Sequence, residues 1–77
     1  MDLDTARAAV IELLAIVMEM EPGDVSDSAL LEADLGADSL AVVEVVFGIE
    51  ERYGERLPDD VVRGVRTVSD LVEALAG

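Results

Sequence analysis

The stretch DLGADSLAVVEVVFGIEERY, residues 34–53, decides how the rest of this chain is read. Gly36 supplies a turn, and the turn delivers Asp38 and Ser39 to the start of a helix. Asp38 suits the N-cap, where a side-chain oxygen accepts a backbone N–H that has no partner inside the helix. Ser39 then stands one residue into the helix with its hydroxyl near the surface. Free N–H groups and aligned peptide dipoles favour bound anions at that end. A serine placed there is a good attachment point for a phosphate ester.

The helix that follows is apolar on two sides. At about 100° per residue, Val42, Val45, Val46, Ile49 and Tyr53 share one face, while Leu40, Val43, Glu44, Phe47 and Glu51 share the opposite one. A small domain has one core, so the face that mixes acids with Leu40, Val43 and Phe47 is expected to be exposed. An exposed apolar stripe rimmed with charge marks a docking site. The plainer alternatives are that Phe47 folds back over a gap in the core and that Glu44, Glu50 and Glu51 are a solvated face. Gly48 costs up to ~1 kcal/mol relative to Ala inside a helix. Beside the stripe, it either admits the backbone of a partner or has no role.

Size and composition narrow the classes. Seventy-seven residues make one domain, 1–77, with a modest core. The longest apolar run falls far below the ~20 residues needed to cross a membrane, and Met-Asp-Leu-Asp lacks the basic region of a signal peptide. The chain has no cysteine, hence no disulfide framework, which is consistent with the cytoplasm. It has no histidine either. The usual zinc ligands and the commonest general base are therefore missing, which argues against catalysis by this chain alone.

Eighteen acids against five bases, all arginine, give a formal net charge of −13. That field repels nucleic acid and anionic membranes and draws in basic protein partners. It also carries a cost in self-repulsion, so stability is expected to rise with salt or divalent cations.

Taken in order, Asp4 or Thr5 is placed to cap a first helix. Ala6, Val10, Leu13, Leu14 and Val17 repeat at helical spacing to Met18 or Met20, with Ala9, Ile16 and Met20 widening the covered stripe. Pro22-Gly23 stops it and opens a loop of about 15 residues through Gly36, unusually long for a small domain. Val25, Leu30, Leu31 and Leu35 are expected to pin the loop over the core, with a turn of helix around Ala29–Glu32. Asp24, Ser26, Asp27 and Ser28 do not make a calcium loop, because no Gly stands at the sixth position and no Glu at the twelfth. Turn and cap chemistry accounts for them.

Beyond the central helix, Gly54 suits a left-handed closing residue. Pro58 suits the first turn of a short helix, followed by the dipole-complementing Asp59 and Asp60 and anchored by Val61, Val62 and Val65, with Gly64 ending it. Thr67 to Asp70 has capping-box spacing with Asp in place of Glu, and Val68, Leu71, Val72 and Leu75 form the apolar face of a last helix. No strand pattern appears. The expected fold is all-α: a small antiparallel four-helix bundle, three main helices plus one short, with a long loop between helices 1 and 2.

The string Asp34-Leu-Gly-Ala-Asp-Ser-Leu resembles the modification motif of acyl carrier proteins. The resemblance continues through Val42-Val-Glu-Val-Val, Ile49-Glu-Glu-Arg-Tyr-Gly, Leu57-Pro-Asp-Asp and Thr67-Val-Ser-Asp-Leu-Val, and so covers essentially the whole chain. It implies that Ser39 receives a 4′-phosphopantetheine arm from coenzyme A, with Asp38 as part of the motif and a cap. The thiol of that arm, not a side chain, would hold an acyl group as a thioester, which fits the lack of cysteine. It also implies that the second helix, through Leu40, Val43, Glu44, Phe47, Glu50 and Glu51, meets basic patches on partner enzymes: a phosphopantetheinyl transferase, an acyltransferase, a ketosynthase. A monomeric, non-catalytic carrier is expected.

Some positions depart from the commonest fatty-acid carriers. Ala41 stands where an acid is frequent, Phe47 where Met is common, and Arg52 breaks the acidic run. The Arg-Tyr-Gly and Leu-Pro-Asp-Asp stretches look more like free-standing carriers of polyketide pathways. That favours polyketide over fatty acid biosynthesis, since small changes on a docking helix alter partner choice without altering mechanism. A peptidyl or aminoacyl carrier would share the chemistry. The rival from another class is an unmodified acidic adaptor, which would tolerate Ser39→Ala.

Overall fold

Helix α1, Leu3–Met18, is the element the others lean on: α2, Ser39–Tyr53, and α4, Val68–Ala76, both pack against it, while the short α3, Asp59–Gly64, packs against α2. The structure is a computed structural model covering residues 1–77. It is the expected all-α arrangement of four helices with a long segment between the first two. No helix is long and apolar enough to cross a membrane.

The core follows the helical spacing of the sequence. Val10 and Leu14 of α1, Val45 and Ile49 of α2, and Val68, Leu71 and Val72 of α4 are fully buried. Each such side chain contributes roughly 1.5–3 kcal/mol when removed from water. Ala6 and Ala9 lie wholly inside on the same helix. Ile16, expected within the covered stripe, is 51% exposed. Tyr53 is also exposed, at the rim of the core face, where its hydroxyl donates to Glu12 Oε1 at 3.1 Å. Gly48 turns out to face α1 rather than a partner: a Cβ there would run into the side chain of Leu13.

Helix α1 ends at Met18 as expected, but its cap and the residue that stops it differ from the expectation. The cap is Asp2, not Asp4 or Thr5: its Oδ1 accepts the Thr5 N–H at 2.7 Å, and Asp4 sits in the first turn, where a negative charge suits the dipole. At the other end the helix stops before Pro22. Glu19 takes the left-handed conformation, φ 53°, and Met20 N–H closes back onto Ala15 O at 3.0 Å. Pro22 instead begins a single 3₁₀ turn, Pro22–Asp24.

The long segment is sewn down at three places. Val25 and Leu31 are buried and Leu35 half-buried, whereas Leu30 is exposed. Arg7 grips Asp27 with two nitrogens, Nε at 3.1 Å and Nη2 at 3.0 Å from Oδ2, which ties the loop to α1. The chain at Ala29 and Leu30 is not helical, because the backbone of residues 29–31 pairs with residues 66–68. Leu31 N–H donates to Arg66 O at 2.9 Å and Val68 N–H to Ala29 O at 3.1 Å, around an isolated bridge between Leu30 and Thr67. The turn expected at Ala29–Glu32 therefore falls later, at 31–35.

The last two helices start as their sequences suggest. Pro58 immediately precedes α3, and its carbonyl accepts from both Val61 and Val62 at 3.1 Å. No residue of α3 is fully buried, and Val61 points outward. At α4 the capping box is complete: Thr67 Oγ1 accepts the Asp70 N–H at 3.0 Å, and Asp70 Oδ2 accepts the N–H groups of Thr67 and Arg66 at 3.1 and 2.9 Å. Those backbone donors, Arg66 first and Thr67 second, hold the Asp70 carboxyl below its ordinary pKa of 3.8.

Candidate functional site

The approach to α2 is a tight backbone turn built by Asp34 and Gly36. Asp34 Oδ2 accepts the Leu30 N–H at 2.8 Å, while the N–H groups of Asp34 and Leu35 return to Leu30 O at 3.0 and 3.2 Å. Gly36 adopts φ 73°, a left-handed conformation that favours glycine. Ala37 N–H then bonds Leu31 O at 2.7 Å, and the Ala37 methyl is buried. The chain leaves this anchored turn in an extended conformation at Asp38 and enters α2 at Ser39.

Asp38 is the N-cap, as the sequence predicts, its Oδ1 accepting the Ala41 N–H at 3.0 Å. Ser39, the first residue of the helix, is exposed, and its hydroxyl has no hydrogen-bond partner in the protein. The N–H groups of Ser39 and Leu40 are likewise free of any protein acceptor. An unengaged hydroxyl thus stands at the positive end of a fifteen-residue helix beside two open donors. That arrangement fits a phosphate ester, both by charge and by access.

Along α2 the two faces separate as expected. Val42, Val45 and Ile49 are buried, whereas Leu40 is 66%, Val43 54% and Phe47 59% exposed. Phe47 does not fold back into the core. Glu44 and Glu51 are exposed beside the stripe, while Glu50 is only half-exposed, turned toward α3. The result is three contiguous large apolar side chains bordered by carboxylates, the composition of a docking surface.

Between α2 and α3 lies a cleft of about 560 Å³ whose lining includes Ser39 itself. Val42, Val62, Val65 and Leu31 make its apolar walls, and Glu32, Asp38, Arg63 and Arg66 bring charge to it. A smaller hollow of about 160 Å³, lined by Val46, Phe47, Glu50 and Leu57, shares Val43 and Val62 with the cleft and so extends it along α2. The sequence did not assign Arg63, Val65 or Arg66 to the site. They reach it only because Arg66 is drawn to Leu31 by the backbone pairing described above. Their one local signal is a pair of arginines three residues apart in a chain that has few.

A small helical bundle that presents an open serine at the head of a helix, beside a cleft and an apolar-acidic face, has the build of a carrier domain. Residues 8–75 match the family model described as the phosphopantetheine attachment site. The chain is 33% identical over 76 residues to an acyl carrier protein of Syntrophobacter fumaroxidans, covering 99% of this chain and 94% of that protein. It is 40% identical over 65 residues to an acyl carrier protein of Acidothermus cellulolyticus, covering 84% and 77%. A meromycolate extension acyl carrier protein of Mycobacterium leprae is 35% identical over 65 residues, covering 84% of this chain and 56% of that longer protein.

The chain belongs to the acyl carrier protein family. Its cofactor is 4′-phosphopantetheine, and its role is that of a non-catalytic carrier that serves synthase enzymes.

Proposed function

We propose that Ser39 is the residue that bears the 4′-phosphopantetheine arm. The observation that carries this reading is the exposed, unbonded Ser39 hydroxyl between two free backbone donors and the mouth of the cleft. Its oxygen would attack the pyrophosphate of coenzyme A, form the new phosphodiester and displace the nucleotide phosphate. The hydroxyl proton would pass to a base of the transferase, since no histidine is present in this chain. The free N–H groups of Ser39 and Leu40 then lie next to the new negative charge. Asp38 holds the helix start rigid through its cap. When bound, the arm supplies the thiol on which acyl groups travel as thioesters.

Residues 1–77 act as one carrier domain, monomeric and cytoplasmic. Partner enzymes with basic patches (the transferase, an acyltransferase, a ketosynthase) are drawn to the acidic field and seat on Leu40, Val43 and Phe47, with Glu44 and Glu51 at the rim and Glu50 toward α3. The interface must release each partner, so it is small and salt-sensitive. The cleft between α2 and α3 offers an apolar refuge for a short acyl chain between visits.

The stretches at Arg52–Gly54 and Leu57–Asp60 support a polyketide pathway by their resemblance to carriers of that kind. A second reading, chain building in fatty acid or related lipid synthesis, is favoured by the relative named for meromycolate extension.

The experiment is intact mass after incubation with coenzyme A and a broad-specificity phosphopantetheinyl transferase, run beside Ser39→Ala. Gain of one arm by the wild type alone is expected. A folded wild type that stays unmodified with several transferases would overturn the assignment and make the acidic adaptor the leading reading. Once loaded, the two pathway readings separate by which ketosynthase, polyketide or fatty-acid, accepts the carrier with the higher kcat/KM.

A further inference from the structure

The five arginines of this chain are not used alike. Arg7 is paired with Asp27 and Arg52 with Glu12, each joining two parts of the fold. Arg56, Arg63 and Arg66 make neither an ion pair nor a side-chain hydrogen bond, although acids outnumber bases eighteen to five. Arg56 lines the smaller hollow, whereas Arg63 and Arg66 both line the cleft that contains Ser39. The Arg66 backbone is fixed from two sides, its N–H by Asp70 Oδ2 at 2.9 Å and its carbonyl by Leu31 N–H at 2.9 Å, yet its guanidinium is free and exposed. Arg63 stands one turn earlier, in the last turn of α3.

Two like charges at one rim repel each other, and the acids of the same cleft do not neutralise them. The Asp38 carboxylate is engaged at the cap, and Glu32 lies beyond ion-pairing distance. The rest of the cleft lining is largely apolar, with Leu31 and Val42 from the loop and α2, and Val62 and Val65 beside the arginines themselves. What fits such a space is a group with an apolar stem and an oxyanion. Guanidinium is suited to that role, because its planar fork meets carboxylate or phosphate with two donors at once.

We propose that Arg63 and Arg66 form an oxyanion subsite that holds the group tethered at Ser39. The inference rests on the reading of Ser39 as the attachment residue. The oxyanion has two possible sources, the phosphodiester beside Ser39 or a carboxylate on the cargo. In the second case the cleft selects half-acid cargo over plain alkyl chains.

The test follows the side-chain Nε–Hε NMR signals of Arg63 and Arg66 in four forms of the whole chain: unmodified, arm-bearing, loaded with a malonyl half-acid, and loaded with butyryl. Intact mass confirms each form first. A chain that gains no mass fails as a carrier, and the subsite falls with it. In a chain that loads, downfield movement and slowed solvent exchange of both signals on adding the arm identify the phosphodiester. The same change only on malonyl loading identifies the carboxylate. Signals that stay unchanged through all four forms, or that move equally for malonyl and butyryl but not for the arm, overturn the proposal. The exposed double variant R63Q/R66Q supplies a second readout. On malonyl loading its thermal midpoint should lose the rise that the wild type shows, and an equal rise in both would also overturn the subsite.

Discussion

The Tyr53 hydroxyl donates to the Glu12 carboxylate at 3.1 Å, and Arg52 Nη1 lies 3.4 Å from the same oxygen. This one carboxylate joins the last turn of α2 to α1. The hydrogen bond to Glu12, with burial and the charge of Glu12 behind it, raises the Tyr53 pKa above its ordinary 10.0, while Arg52 pulls the other way. The neutral phenol is the form favoured by folding. Its contribution is fully present below pH 10 and is lost as pH rises through the higher folded value. Tyr53 is the sole tyrosine, so tyrosinate absorbance reads it alone. We expect a midpoint above 10 in the native protein, moved back toward 10 in Glu12→Gln. A native midpoint at or below 10 would contradict the hydrogen bond.

At the other pH extreme the sensitive group is Asp70. Its carboxylate accepts the N–H groups of Arg66 and Thr67, so its pKa is depressed from 3.8 and its contribution is complete above that value. As pH falls through the lower folded value, protonation removes it. Asp2, lowered chiefly by the Thr5 N–H, acts with the same sign at α1. Urea unfolding at stepped pH should show stability falling below about pH 4, with Asp70→Asn flattening that fall. Thr67→Ala, which removes the reciprocal half of the box, should cost about 1 kcal/mol at neutral pH.

The features that sequence displayed and those it hid divide along physical lines. Asp38, Gly54 and the Thr67–Asp70 box act on backbone groups within four residues, so their chemistry is local and was read correctly. The exposure of Leu40, Val43 and Phe47 followed from periodicity, because only one face of α2 can meet the core. The start of α1 was misplaced because Asp2, Asp4 and Thr5 all offer acceptor oxygens, and only three-dimensional geometry chooses among them. The path of residues 29–31 was hidden for a different reason. It is set by pairing with Arg66–Val68, far away in sequence, and that pairing also builds the second wall of the cleft.

Gly48 was misread for the same long-range reason. In isolation an alanine there would favour the helix by up to ~1 kcal/mol. In the fold, its methyl would strike the Leu13 side chain, which is itself only 4% exposed and has little room to turn away. Overpacking of a core costs about 1–3 kcal/mol. Gly48→Ala should therefore lower stability by roughly 1 kcal/mol, the difference between those two effects. In a double-mutant cycle with Leu13→Ala the two losses should be less than additive. Strict additivity in urea unfolding would mean the residues do not meet.

A net charge of −13 is confined to a molecule of 25 × 23 × 20 Å. At ~0.01 M salt the screening length is about 30 Å, so every pair of charges interacts; at ~0.15 M it is about 8 Å and most do not. The thermal midpoint should rise across that interval, by about 4–8 °C for each kcal/mol of repulsion relieved in a domain of this size. Differential scanning calorimetry in a chloride series checks it. A midpoint that falls with salt would mean that the ion pairs of Arg7 and Arg52 outweigh the repulsion.

Helix α3 should be the first part of the fold to open. It has six residues, no fully buried side chain and no side-chain cap, and it packs principally on α2. Isolated helices shorter than ~12–15 residues are marginal in water, so α3 depends on the modest burial of Val62 and Val65 for its order. Its amides should exchange faster than those of α1 and α4, whose buried faces tie them to global unfolding. Because α3 is also one wall of the cleft, local opening widens the space beside Ser39 without disturbing Leu14, Ile49 or Leu71. Val62→Ala should increase exchange in α3 several-fold while leaving the slowest amides of α1 nearly unchanged. If protection in α3 matches that of α1, the wall is rigid, and an acyl chain must enter a cleft of fixed width.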